Sequence, residues 1–441
     1  MIAAAANDAV FGRLLLSLVV VLAVGRAAGA LGRRVGQPAV VGEIVAGIAL
    51  GPCLLGLIAP GLPAMLFPAE VVVHLKVVAE VGLVLFMFAV GLELDPAALR
   101  ASGRQAGAVA AGSMILPFAL GVGALAPLLH RGHHLVAGRE VGFTPFALFV
   151  GVAMSGTAFA VLARILAEHD LLGTRLGTLL LSSAAIDDVV AFALLGVVVA
   201  IASSSGAGGG LLLTLAALVG LVALLVFVVR PLLRRTVLRR ACADGRLDGP
   251  VLGALLLGAL LTAYVATRIG LHPMMGAFAF GTCVPCDRGR RLPHEVTQRL
   301  EAVSVHLLMP AFFVVTGLGV NVAALRRSDI VPALAIVAVA CVGKFVGSMG
   351  AARAVGMPHR EALAVGTMMN ARGLAELVIL SAGREAGVLD DRLFTMLVVM
   401  AVVTTVMAGP LLRLVYPERM LRAQRSARAA SVARSSLVAA A

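Results

Sequence analysis

Two adjacent carboxylates, Asp187 and Asp188, stand inside an apolar run from about Leu176 to Ala202. That run is long enough to cross a bilayer as one helix. A charged side chain at bilayer depth costs about 2.5–3.5 kcal/mol on insertion scales. Two in succession therefore read as part of an ion or proton path rather than as hydrogen-bond anchors. Opposite charges occur in two later apolar runs: Lys344 in Val-Gly-Lys-Phe-Val-Gly, and Arg372 with Glu376 four residues on. Neighbouring residues on a helix point about 100° apart, so the two aspartates cannot face one ligand equally. One can bind an ion while the other pairs with a cation. A Lys–Asp pair makes both ionised forms tolerable in an apolar medium, and it opens when either partner titrates. Such an arrangement is a proton-coupled switch. Arg372 and Glu376, one helical turn apart, can also pair with each other.

The elements that must hold these groups are membrane helices. The 441-residue chain is 60% apolar, with a mean hydropathy of +1.03, which excludes an ordinary soluble domain. Asp8 and Arg13 precede the first apolar run, so no cleaved signal peptide is expected. Thirteen apolar segments follow, at about 10–30, 37–58, 70–93, 104–128, 145–168, 175–203, 210–230, 250–268, 272–286, 297–318, 330–354, 360–384 and 392–415. An odd number puts the termini on opposite sides. Most of the 36 lysines and arginines fall in one alternating set of connections, including Arg33, Arg34, Arg100, Arg104, the run from Arg230 to Arg246, Arg288–Arg299 and the C-terminal tail. The opposite set holds Arg13, Arg131, Arg139, Arg268, Arg326, Arg327, Arg384 and Arg392. The basic excess marks the cytoplasmic side, so the N-terminus is expected outside and the C-terminus inside, in a multi-pass cell-membrane protein. The net charge of +13 is thus a topology signal, and no nucleic-acid partner is expected from a chain with no Trp and two Tyr. Cys283-Val-Pro-Cys286 has no second pair beside it and reads as structural. No cofactor and no resident metal is expected. Bland roles are expected for Glu43, Glu80, Glu93 and Lys76, and for His74, His272 and His306 near helix ends.

The segments repeat. Phe86–Asp95 aligns with Phe312–Asn321, Gly151–Thr157 with Gly366–Arg372, and Pro38, Gly42 and Gly47 with Pro273, Gly276 and Gly281. Each pairing is seven segments apart, so the copies must be inverted relative to each other. The domain plan is a transmembrane unit over 1–415, with repeat 1 at about 10–203, a linker helix at about 210–230 and repeat 2 at about 250–415. A disordered basic tail, 416–441, follows. Inverted repeats carry their binding site where helices break. The expected breaks are at Ser155-Gly156-Thr157 and at Asn370-Ala371-Arg372-Gly373, where small and polar residues interrupt apolar segments.

The run Ser155–Glu168 resembles the matching helix of the monovalent cation:proton antiporter superfamily, in particular its CPA2 branch of Kef-type and plant cation/proton exchangers. So do Ser183–Val189, Phe312–Asn321, Asn370–Leu377 and Phe394–Met400. The resemblance covers the chain from the second segment to the thirteenth. It implies an all-α sodium/proton antiporter-like fold of about thirteen helices, in two inverted repeats of six with two broken helices crossing at the midplane. It also implies a homodimer that works by alternating access. Residue for residue, it makes Asp188 the ion- and proton-carrying carboxylate, Asp187 the variable position before it and Lys344 the paired base. Thr157, Ser155 or nearby carbonyls would complete an oxygen shell suited to a hard cation. Glu376 and Arg372 would be charges coupled to it. Two departures stand out: Ala160 replaces a common proline, and no nucleotide-binding motif follows the last segment, so nucleotide gating is not expected. The expected function is exchange of Na⁺ or K⁺ for H⁺, with the Asp-Asp pair favouring an electrogenic over an electroneutral cycle, and with a passive K⁺ efflux channel as the alternative. No enzymatic activity is expected.

Overall fold

The computed structural model describes residues 2–37, 39–51, 54–59, 61–93, 103–136, 138–168, 171, 174–203, 216–217, 219–235, 249–269, 271–284, 295–300 and 304–415. Pro38, Asp95, Arg100, the linker at 204–210, Arg239, Arg240, Arg246, Cys286, Arg288–Arg291 and the tail 416–441 lie outside the described residues. So do the side chains of Glu93, Ala160, Arg164 and His306.

Regular structure among these residues is helical, apart from one hairpin that the sequence did not announce. Its strands, β1 (Leu135–Val136) and β2 (Arg139–Glu140), pair antiparallel with Leu135 opposite Glu140. It turns through Gly138, whose φ of 78° suits a residue without Cβ. The helices are α1 (Ile2–Arg34), α2 (Ala39–Leu50), α3 (Ala69–Glu93), α4 (Gly103–His133), α5 (Phe143–Ser155), α6 (Phe159–Glu168), α7 (Arg175–Ser203), α8 (219–235), α9 (Gly249–Arg268), α10 (Pro273–Cys283), α11 (Met309–Leu318), α12 (Ile330–Ala354), α13 (His359–Met368), α14 (Leu374–Glu385) and α15 (Asp391–Val415). Eight stretches among the described residues are long and apolar enough to cross a membrane. α4 runs past the expected end of its segment, through a π turn at Gly121–Leu125, to His133.

The chain packs as two units: Met1–Leu31 with Gly42–Pro96 and Gly196–Ala323, and Gly32–Val41 with Ala97–Leu195 and Ala324–Ala441. Each draws on both halves of the sequence, so the packing units are not the repeats. Within the first unit, the repeat appears as matched glycine crossings. A Cβ on Gly47 would strike the backbone at Val314 and Gly317, and a Cβ on Gly91 would strike the backbone at Phe278 and Gly281. These are one crossing made twice, since Gly47 aligns with Gly281 and Gly91 with Gly317. Gly42 against the Ala28 carbonyl and Gly276 against the Thr262 carbonyl form a second such pair. Small residues let helix backbones approach this closely.

In the second unit α4 and α12 meet at Gly112 and Gly347, where a Cβ on either residue would strike the other's carbonyl. This contact brings Ser113, next to Gly112, and Lys344, one turn before Gly347, into one interior. The apolar core around it includes Val109, Leu162, Leu180, Met368 and Leu412. Val331, Leu334 and Val342 on α12 are exposed, and α12 lies in one of the stretches long and apolar enough to cross a membrane.

Candidate ion site

Both expected helix breaks are present, and both lie in the second unit. α5 ends at Ser155, residues 156–158 are non-helical, and α6 begins at Phe159. α13 ends at Met368, residues 369–373 are non-helical, and α14 begins at Leu374. The two unwound stretches cross, with the Ala158 N–H donating to the Ala371 carbonyl at 3.0 Å. Gly156 has an ordinary φ of −62°, so its glycine answers to space: a Cβ there would meet the Glu376 carboxylate.

Asp187 and Lys344 form an ion pair at 3.1 Å, and both are fully buried. Asp187 Oδ2 also accepts hydrogen bonds from Thr157 Oγ1 at 2.7 Å and from Ser113 Oγ at 2.5 Å. Lys344 Nζ donates to Thr157 Oγ1 at 2.5 Å as well. Thr157 therefore bridges the pair, accepting from the ammonium and donating to the carboxylate. Burying two charges is tolerable only with such geometry and added hydrogen bonds.

Asp188 is turned to a different neighbour, as adjacent positions on one helix require. It is buried, and it accepts the backbone N–H of Phe159, the first residue of α6. The first N–H groups of a helix lack intrahelical acceptors and favour an anion. Asp188 Oδ1 and Asp187 Oδ1 have no hydrogen-bond partner. Two carboxylate oxygens thus remain available within the apolar interior.

Arg372, also fully buried, reaches across to the other break. Its Nη1 donates to the Ala153 carbonyl at 2.7 Å, its Nη2 to the Met154 carbonyl at 2.5 Å, and Nη1 pairs with Glu376 at 2.9 Å. It thereby satisfies carbonyls left open where α5 ends. Thr405 of α15 donates to the Arg372 carbonyl at 2.5 Å. Asn370 Nδ2 lies 3.6 Å from Cys341 Sγ, and its Oδ1 has no partner.

The groups expected to form a shell around Asp188 are engaged elsewhere in this structure. Thr157 sits on Asp187, because the Lys344 ammonium holds its oxygen there. The Ser155 hydroxyl bonds back to the Val152 carbonyl at 2.9 Å, within its own last helical turn. The carbonyls of Ala153 and Met154 are engaged by Arg372. Lys344, Asp187 and Thr157 come together, Asp188 lies beside them on Phe159, and Arg372 with Glu376 forms a separate pair. Ser113 and Thr405 were not anticipated. Ser113 is a lone hydroxyl in an apolar helix and Thr405 is one of an adjacent pair with Thr404. Such hydroxyls most often bond to their own backbone, as both residues also do.

This fold and site define a polytopic membrane protein with a charged centre at crossing helix breaks. The sequence profile of the family "Sodium/hydrogen exchanger, transmembrane" matches residues 18–416. The chain belongs to that family and falls with the CPA2 branch of cation:proton antiporters. The "Na(+)/H(+) antiporter NhaS4" of Synechocystis sp. is 36% identical over 407 residues, 92% of this chain and 97% of that protein. The "K(+)/H(+) antiporter 1" of Saccharomyces cerevisiae is 32% identical over 385 residues, 87% of this chain and 44% of that protein. The chain spans about half the length of the plant and yeast relatives it matches. Among solved structures, the sodium proton antiporter MjNhaP1 from Methanocaldococcus jannaschii at pH 8 shares the fold. Its TM-score is 0.61 at 15% identity, covering 92% of this chain and 98% of that one.

Proposed function

We propose that this chain is a secondary transporter that exchanges a monovalent cation, Na⁺ or K⁺, for H⁺ by alternating access. The observation that carries the reading is the pair of adjacent buried aspartates with divided roles: Asp187 is held by Lys344, Thr157 and Ser113, while Asp188 keeps an unpartnered oxygen. Cation and proton compete for Asp188. A bound cation is excluded while the carboxyl carries a proton, and that exclusion couples the two fluxes. If the Asp187–Lys344 pair also exchanges a proton in each cycle, transport moves net charge. It is then driven by membrane potential, worth about 2.3 kcal/mol per charge per 100 mV. The names of the relatives, which include both Na⁺/H⁺ and K⁺/H⁺ antiporters, support the substrate class and leave both cations as candidates. The distribution of arginines supports an outside N-terminus and a cytoplasmic C-terminus, and the family resemblance implies a homodimer in the cell membrane.

The test is proton efflux from everted vesicles, followed with a pH dye as Na⁺, K⁺ or Li⁺ is added between about pH 6 and 9. The expected result is collapse of the pH gradient by one or more cations in wild type and no response in Asp188→Asn. Passive ⁸⁶Rb⁺ flux without proton movement would instead make the protein a channel.

A further inference from the structure

Asp187 Oδ2 accepts from three donors, and they are not independent. Lys344 Nζ touches Asp187 Oδ2 at 3.1 Å and also holds the Thr157 hydroxyl that donates to the same oxygen. When Lys344 lets go, its own bond is lost and Thr157 is released from its orientation. Thr157 Oγ1 then has a second acceptor within reach, the Met369 carbonyl at 3.3 Å. Ser113 Oγ stands apart from this arrangement. It comes from α4, it is fully buried, and among the described residues its hydroxyl bonds to Asp187 and the Ala110 carbonyl rather than to Lys344 or Thr157.

We infer that Ser113 is a positioning residue for transport: it keeps the Asp187 carboxylate seated while the Asp187–Lys344 pair is open. The inference rests on the proposed exchange cycle, in which that pair opens and closes. The hydroxyl carries one proton and has two acceptors, Asp187 Oδ2 at 2.5 Å and the Ala110 carbonyl at 2.9 Å. It already donates to Asp187 while Lys344 is paired, and because Lys344 does not hold it, it can go on donating when Lys344 leaves. Asp187 then keeps one donor, where a buried carboxylate left with none would be costly. The Gly112–Gly347 contact fixes the distance from which Ser113 acts, because it sets how closely α4 approaches the helix that bears Lys344.

The first measurement is a double-mutant cycle on thermal unfolding in detergent, using Ser113→Ala, Asp187→Ala and the double variant. Loss of a buried charge-assisted hydrogen bond is expected to lower the melting temperature of S113A by roughly 2–4 °C. In the D187A background the same change should have no further effect. An equal drop in both backgrounds would mean that Ser113 merely packs, and the inference falls. The second measurement is exchange in vesicles. S113A is expected to slow maximal exchange about tenfold while the half-saturating cation concentration stays within about twofold, because the cation is carried by Asp188. Ser113→Cys, which fills the same space with a poor donor, should be as slow, and Ser113→Thr should recover. Unchanged maximal exchange in S113A and S113C, or a loss confined to cation affinity, overturns the positioning role. If wild type exchanges nothing, the transport reading fails and takes the transport role of Ser113 with it, while the thermal cycle still decides whether the Ser113–Asp187 contact exists.

Discussion

The two helix breaks occupy equivalent places in the repeat but carry different chemistry. The first offers a hydroxyl, Thr157, and lies against the two aspartates of α7. The second, at the aligned position, carries Arg372, whose guanidinium is spent on backbone carbonyls of the first break and on Glu376. One break lies against two adjacent carboxylates, the other carries a guanidinium committed to helix-end carbonyls and one carboxylate. The glycine crossings of the first packing unit, by contrast, are matched in both copies: Gly47 with Gly281, and Gly91 with Gly317. Close helix packing is required wherever the repeat places two helices together, so it persists in duplicate. A coupled ion site needs only one carrier, so its chemistry can differ between copies.

This contrast predicts where function and stability separate. The largest effect is expected from Asp188→Asn: exchange abolished, with little change in detergent melting, because the amide oxygen can still accept the Phe159 N–H. Asp188→Asn protein that melted far below wild type would make this aspartate structural. Arg372→Met should do the reverse. Removing one partner of a buried ion pair costs about 3–5 kcal/mol, and here two helix-end carbonyls lose their donors as well. Unfolding should therefore occur far below the wild-type temperature, and wild-type melting of Arg372→Met would remove the distinction between the breaks.

Smaller changes test the duplicated packing. Gly47→Ala and Gly281→Ala should each cost about 1–3 kcal/mol, as overpacking does, and by similar amounts because they are mates in the repeat. Gly253→Ala, where a Cβ meets nothing within 4 Å, should be close to neutral. Melting curves of the three variants decide this, and markedly unequal costs for Gly47 and Gly281 would break the symmetry.

The smallest expected effect lies away from both breaks, where the turn before α15 meets the end of α4. His133 Nδ1 donates to Asp390 Oδ2 at 2.8 Å, and the Leu393 N–H donates to Asp390 Oδ1 at 2.7 Å. Burial by itself raises the Asp390 carboxyl, but the hydrogen bonds from His133 and Leu393, with the charges of His133 and Arg392, outweigh it. The net result is a value below the ordinary carboxylate range. A depressed carboxyl contributes stability above its unfolded value, near about pH 3.9, and that contribution disappears as pH falls through the folded value. Asp390→Asn should thus melt slightly lower than wild type at pH 7, with the gap closing toward pH 3. A gap that does not depend on pH would remove the ionised contact.

Much of this was legible in the residues. Charges inside apolar runs marked Asp187, Asp188, Lys344, Arg372 and Glu376, because the cost of burying charge in a bilayer is large for any fold. Period-seven segment matches and the small-polar interruptions at Ser155–Thr157 and Asn370–Gly373 indicated the repeat and its breaks, since helix formation fails locally for local reasons. What the sequence could not decide was which oxygen faces which donor. Thr157 went to Asp187, Ser155 turned back on its own helix, and Ser113, four segments into the chain, became a third donor. Arg372 bonded across to the carbonyls of Ala153 and Met154 as well as to the Glu376 that its spacing suggested. Local sequence thus set the inventory of charges, hydroxyls and breaks. Only tertiary packing, through contacts such as Gly112 against Gly347, set the hydrogen-bond distances on which the chemistry depends, because those distances join helices far apart in the chain.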